Sequence, residues 1–194
     1  MRPVQRNEIL PIGEYEAIRP RFRARVVEAK KHRRAQLSDI MSVVFENRDS
    51  VLLQIQEMLR TERITSEEGI RHEIETYNDL LPGPGQLSMT LFIEIADKEA
   101  REARLVGLAG LEDAVYLEVD GDRFQAKGED RSVEGIARTT ALHYLKVDVG
   151  EAARQSMKRG GAEVRVRVDH PAYAVSKELA PEVVRAIAAD FDEP

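Results

Sequence analysis

The sequence contains no cysteine. That absence excludes disulfides, thiolate catalysis and cysteine-ligated zinc or iron–sulfur sites from this chain. No apolar run approaches the roughly 20 residues needed to span a bilayer, so no membrane segment is expected. The opening MRPVQRNEIL has no apolar core followed by a small-residue cleavage site, which favours a cytoplasmic protein. Internal repeats and long linkers are missing as well. At 194 residues, 42% hydrophobic and 33% charged, the chain fits one domain able to bury a core.

The net charge of −6 hides a polarity. Between Arg19 and Arg34 there are eight Lys or Arg against one acid, Glu28, a local +7 that leaves −13 for the remainder. Asp190, Asp192 and Glu193 make the tail acidic. Arg21, Arg23, Arg25, Lys30, Lys31, Arg33 and Arg34 are therefore candidate partner-binding residues, suited to phosphates, an acidic protein or a second copy of the chain. Phe22 is the one aromatic residue in the stretch that could stack on a base, and the rest of the chain is acidic, so nucleic acid is the least favoured partner.

Composition predicts a basic helix over about 14–34, begun or broken at Pro20. Residues 37–45 read as a strand buried on both faces. Apolar positions at helical spacing predict helices over 49–63 and 66–81, joined as a hairpin. Pro82-Gly83-Pro84-Gly85 stops the second and leads into a strongly alternating strand, Gln86 to Ile95. A helix over 98–108 follows, then a hairpin of 115–119 and 123–127 turning at Asp120-Gly121-Asp122. Gly128 to Gly135 reads as a loop. Alternation returns at 143–149 and 163–169 around a short helix over 152–158, and Pro181 opens a last helix to about Asp190. Helices early and strands late indicate an α+β fold: a largely antiparallel sheet with helices packed mainly on one face.

Motifs for chemistry are few. Gly83-Pro84-Gly85 and Gly107-Leu108-Ala109-Gly110 lack phosphate-loop spacing, and there is no Walker sequence or nucleophile elbow. Glu68, His72 and Glu75 share one helix face and are the best local metal-ligand set, although neither HExxH nor a paired ExxH occurs and no metal or cofactor is expected. Asp169, His170 and Tyr173, just after a strand, form a candidate acid–base cluster, with a simple strand-ending turn as the alternative. Gln54, Gln56, Glu57, Arg60, Glu62 and Arg63 either line a polar groove or solvate a helix.

Several stretches together carry a resemblance: QIQEMLR at 54–60, EIETYNDLLP at 73–82, QLSMTLFIEI at 86–95 and VDHPAY at 168–173. They resemble the uncharacterised bacterial family called domain of unknown function 3501, and the likeness runs from about Ile9 to Tyr173. The family supplies no catalytic residues. The resemblance implies an accessory role beside a redox or oxidative-stress system of rubrerythrin-like and iron–sulfur proteins, where any cluster would belong to the partner. Three readings result. The first is a non-enzymatic accessory or binding protein with a protein partner, perhaps as a homodimer. The second is a metal-dependent or acid–base enzyme, which requires one of the two clusters to converge in a pocket. The third is a nucleic-acid binder, which requires an exposed continuous basic stripe.

Overall fold

The structure is a computed structural model that describes residues 1–128 and 138–192. Its centre is one eight-stranded antiparallel sheet with the order β1-β2-β3-β6-β5-β4-β7-β8. The strands are β1 (Arg34–Ser38), β2 (Met41–Phe45), β3 (Gln86–Ile93), β4 (Val115–Val119), β5 (Asp122–Gly128), β6 (Leu142–Asp148), β7 (Val164–His170) and β8 (Tyr173–Glu178). The sheet curls until its two edges meet, and the Tyr173 hydroxyl on β8 donates to Ser38 Oγ on β1. The result is a near-barrel.

The period of two explains which side chains fill it. Val43, Met89, Leu91, Leu117 and Val166 are fully buried inside and join one apolar cluster. Val164, Val166 and Val168 face that interior, as their alternation predicts. Burial of each such side chain contributes about 1.5–3 kcal/mol.

The helices do not gather on one face, which corrects the expected layering. Helix α4 (Lys98–Gly107), α5 (Glu151–Arg159) and α6 (Pro181–Ala188) feed Leu105, Met157 and Ile187 into the barrel cluster. Helix α1 (Ile12–Lys31), α2 (Arg48–Thr61) and α3 (Glu67–Asn78) lie over the other side of β2, β3 and β6. There Val51, Ile55, Leu59, Ile70 and Ile74 form a second cluster with the N-terminal Val4 and Ile9, and Tyr144 packs against it. Leu145, the next residue, belongs to the barrel interior, so the two clusters sit on opposite faces of β6. The 49–63 and 66–81 helices thus cover the half-polar face of the sheet, since the apolar face is used up in closing the barrel.

Other differences have local causes. Helix α1 runs unbroken through Pro20. The missing backbone bond is tolerated because Tyr15 and Arg19 before it both reach Glu57 on α2, and Val26 after it is buried. Residues 37–45 form two strands, with Asp39 and Ile40 between β1 and β2. Arg34 consequently belongs to a strand. β8 was not legible: Pro171 ends β7 but also starts a tight hairpin in which His170 pairs with Tyr173. At the other hairpin Asp120 (φ 50°) and Gly121 (φ 92°) adopt left-handed conformations in succession, the requirement of a type I′ turn. The loop expected over Gly128 to Gly135 lies outside the described residues beyond Gly128, which ends β5.

Candidate functional site

The register of β2, β3 and β6 lays out the floor beneath the α1–α3 layer. Cross-strand rows on this face are Ser42–Phe92–Leu142 and Val44–Thr90–Tyr144, and Ser88 sits beside Lys146. Serines, threonines and an aromatic pair are poor partners for a helical layer that brings its own apolar stripe. A cleft of about 410 Å³ remains between them. Phe92, Leu142 and Tyr144 form its floor, while Met58 and Tyr77 face them from α2 and α3.

Glu46 lies deep in this cleft, with a side chain only 3% exposed. It follows directly from the fully buried β2, and Asn47 then caps α2 by accepting from the Ser50 amide at 3.0 Å. The cap brings the Ser50 hydroxyl to Glu46 at 2.5 Å, and Thr90 donates to the other carboxylate oxygen at 2.8 Å. The Lys30 ammonium stands 3.6 Å away. An anion this deep needs such partners, because an uncompensated buried charge is strongly destabilising.

At the mouth, Glu57 accepts two hydrogen bonds from Arg19, at 2.7 and 2.9 Å, and one from Tyr15 at 2.5 Å. The Arg19 bonds hold its carboxyl down to about 2, against the opposing effect of burial. Tyr15 is pushed well above the ordinary tyrosine value, first by burial and then by this carboxylate. Burial also raises Tyr77, with Tyr144 adding to the shift. Glu57 is thus a fixed anion at neutral pH. Gln54 and Glu62 line the cleft as well, whereas Gln56 turns away to bond Leu10 through its amide N–H and its carbonyl.

The metal-ligand and acid–base candidates read from sequence are placed apart from this cleft, as are the basic candidates with the exception of Lys30, whereas Gln54, Glu57 and Glu62 of the polar helix face line it. Glu68, His72 and Glu75 lie exposed on α3, and among the described residues no group of three His, Asp or Glu is arranged to hold a metal ion. Asp169 pairs with Arg123 at 3.3 Å, His170 Nε2 bonds the Ala109 carbonyl at 3.0 Å, and Tyr173 reaches Ser38. These three side chains diverge. Within the basic stretch, Arg25 pairs with Asp49, Lys31 with Glu28 and Arg34 with Glu94. Arg33 is buried and makes a two-pronged bond to Asp190 at 2.8 and 2.5 Å. Arg21 and Arg23 are exposed and have no ion-pair partner among the described residues. The stretch is therefore divided among separate acids. Sequence reasoning missed Glu46, Tyr77 and Tyr144. The available signal was a single acid closing a strand buried on both faces.

A family model described as a protein of unknown function (DUF3501) matches residues 3–191. The chain belongs to this family. Among solved structures it is similar to a crystal structure of a novel protein of unknown function from Burkholderia pseudomallei K96243. The two are 32% identical, with a TM-score of 0.92 over 98% of this chain and 100% of the other. No curated protein matches the chain. Among the described residues no helix is long and apolar enough to cross a membrane.

Proposed function

We propose that the protein is a non-enzymatic binding protein whose ligand site is the cleft between the α1–α3 layer and the outer face of β2, β3 and β6. One observation carries this reading: a concave, aromatic-walled space in which the carboxylates of Glu46 and Glu57 are already committed. Glu46 is held by Ser50, Thr90 and Lys30, and Glu57 by Arg19 and Tyr15. A proton carrier must change state near the working pH, and Glu57, at about 2, does not. Fixed charges and half-buried aromatic side chains are instead the features that orient a small apolar ligand. In this reading the protein is a cytoplasmic bacterial accessory factor. Its place beside a redox or oxidative-stress system, and any protein partner or second copy meeting Arg21 and Arg23, rest on the family resemblance and on charge.

The test is titration with the neutral dye N-phenyl-1-naphthylamine, whose fluorescence rises in an apolar site. Saturable binding near one per chain is expected, weakened by Tyr144→Ala and by Tyr77→Ala in protein whose circular dichroism is unchanged. A dye that does not bind, or binds both variants as it binds the parent, refutes the cleft as a ligand site.

A further inference from the structure

Tyr144 lines a second cavity, of about 240 Å³, on its other side. Leu142, Tyr144 and Lys146 are successive outward residues of β6, so the two spaces form one groove about 13 Å long along the strand. At its far end Lys146 is directly paired across strands with Lys127 on β5. Like charges placed opposite one another on one sheet face destabilise it. Neither lysine has an ion-pair partner among the described residues, whereas Lys30, which lines the neighbouring cleft, pairs with Glu46. Asp79 and Asp148 line the same cavity, but neither reaches a lysine as an ion pair, and Asp148 accepts from Gln86 at 2.8 Å. Among the described residues the cation pair is thus uncompensated where the groove is concave.

We infer that this end of the groove binds the anionic group of the ligand, a terminal phosphate or carboxylate, while the aromatic chamber holds an apolar, planar body. The inference rests on the binding reading above and adds the ligand's charge and polarity to it. The anion would sit between the two ammonium groups and remove their repulsion, and the Tyr144 ring would separate head from body.

The experiment pairs two dyes of related shape. 8-Anilinonaphthalene-1-sulfonate carries an anion, and N-phenyl-1-naphthylamine does not. Both are titrated into the full chain, the Lys127→Gln/Lys146→Gln variant and Tyr144→Ala. Both lysines are at least partly exposed, so the double variant keeps its fold. The expected result is a loss of roughly tenfold in affinity for the sulfonate dye in the double variant, with the neutral dye unaffected. Raised salt should mimic that loss. Phenyl phosphate or benzoate should displace the sulfonate dye from the parent, and the stronger of the two identifies the head group. Equal sulfonate-dye affinity in parent and double variant, or no displacement by either anion, overturns the inference while the neutral dye still reports the cleft. Failure of both dyes to bind the parent overturns the cleft reading and the inference with it.

Discussion

Replacing Asp190 by alanine leaves Arg33, a residue 7% exposed, with no carboxylate against it among the described residues. Two charge-assisted bonds, at 2.8 and 2.5 Å, disappear, and among the described residues only the Ala186 carbonyl, 3.1 Å from Nη2, still accepts from the group. Breaking a buried pair by removing one partner costs about 3–5 kcal/mol, because the remaining charge has been taken out of water without compensation. Removing both charges has a different consequence. Arg33→Met/Asp190→Leu restores apolar contact and should fall within about 1 kcal/mol of the parent, or above it. The exposed Arg25–Asp49 pair, 63% and 45% exposed, is the control, and its removal should cost about 0–1 kcal/mol. Equilibrium urea denaturation followed by far-ultraviolet circular dichroism measures all three without screening the charges, and the slope should stay constant. If Asp190→Ala costs less than about 1 kcal/mol, or if the double variant is as unstable as the single one, the buried-pair reasoning is refuted.

Leu91→Ala, at a site with no exposure in the barrel interior, should cost about 2–5 kcal/mol by the same assay; an unchanged midpoint would show a core that collapses around the gap. Lys30→Met should destabilise more than Arg25→Met, because Glu46 would keep only two hydroxyl partners; equal effects would mean that water reaches Glu46. Glu57 has a folded value of about 2 against an ordinary 4.5, so its ionised form adds stability above pH 4.5, and that stability is lost as pH falls toward 2. The stability difference between the parent and Glu57→Gln should therefore shrink across that window, and a constant difference would contradict the Arg19 pairing. Elemental analysis should find no stoichiometric iron, manganese or zinc bound through Glu68, His72 and Glu75, and a metal lost on His72→Ala would reverse that assignment.

Alternation made much of the sheet legible. Leu87, Met89 and Leu91, like Val164, Val166 and Val168, face one interior because successive side chains of a strand point to opposite faces and their apolar set alternates with polar residues. Closure was not legible, because curvature depends on how β1 and β8 meet, and residues 34–38 and 173–178 are half polar, as edge strands are. The partner of Arg33 was hidden for a related reason: Asp190 lies 157 residues away, and only the path of the chain brings them together. The cleft was half visible. Gln54, Glu57 and Glu62 stand out on a helix face, but Glu46 reads as the end of a strand until the Asn47 cap brings Ser50 onto it.

The position of the cleft follows from how the barrel uses its residues. Closing the sheet consumes the apolar side of β3 and β6, so Ser88, Thr90 and Tyr144 are left for the helical layer. Helices α2 and α3 bury Ile55, Leu59, Ile70 and Ile74 mainly against each other and the N-terminal segment, and meet the sheet through Tyr144. Two surfaces with unlike patterns do not interdigitate, and packing at native density is lost where they face. Glu46 adds to the mismatch: a carboxylate at the end of a buried strand needs donors, and Lys30, Ser50 and Thr90 supply them at the cost of apolar contact. The space is kept open by hydrogen bonds that a denser apolar packing would have to break. Filling it from the sheet side should therefore raise stability while abolishing dye binding. Thr90→Val removes one Glu46 donor and tests the balance: if stability rises, apolar contact outweighs the lost bond, and if it falls, the Glu46 bonds maintain the cleft.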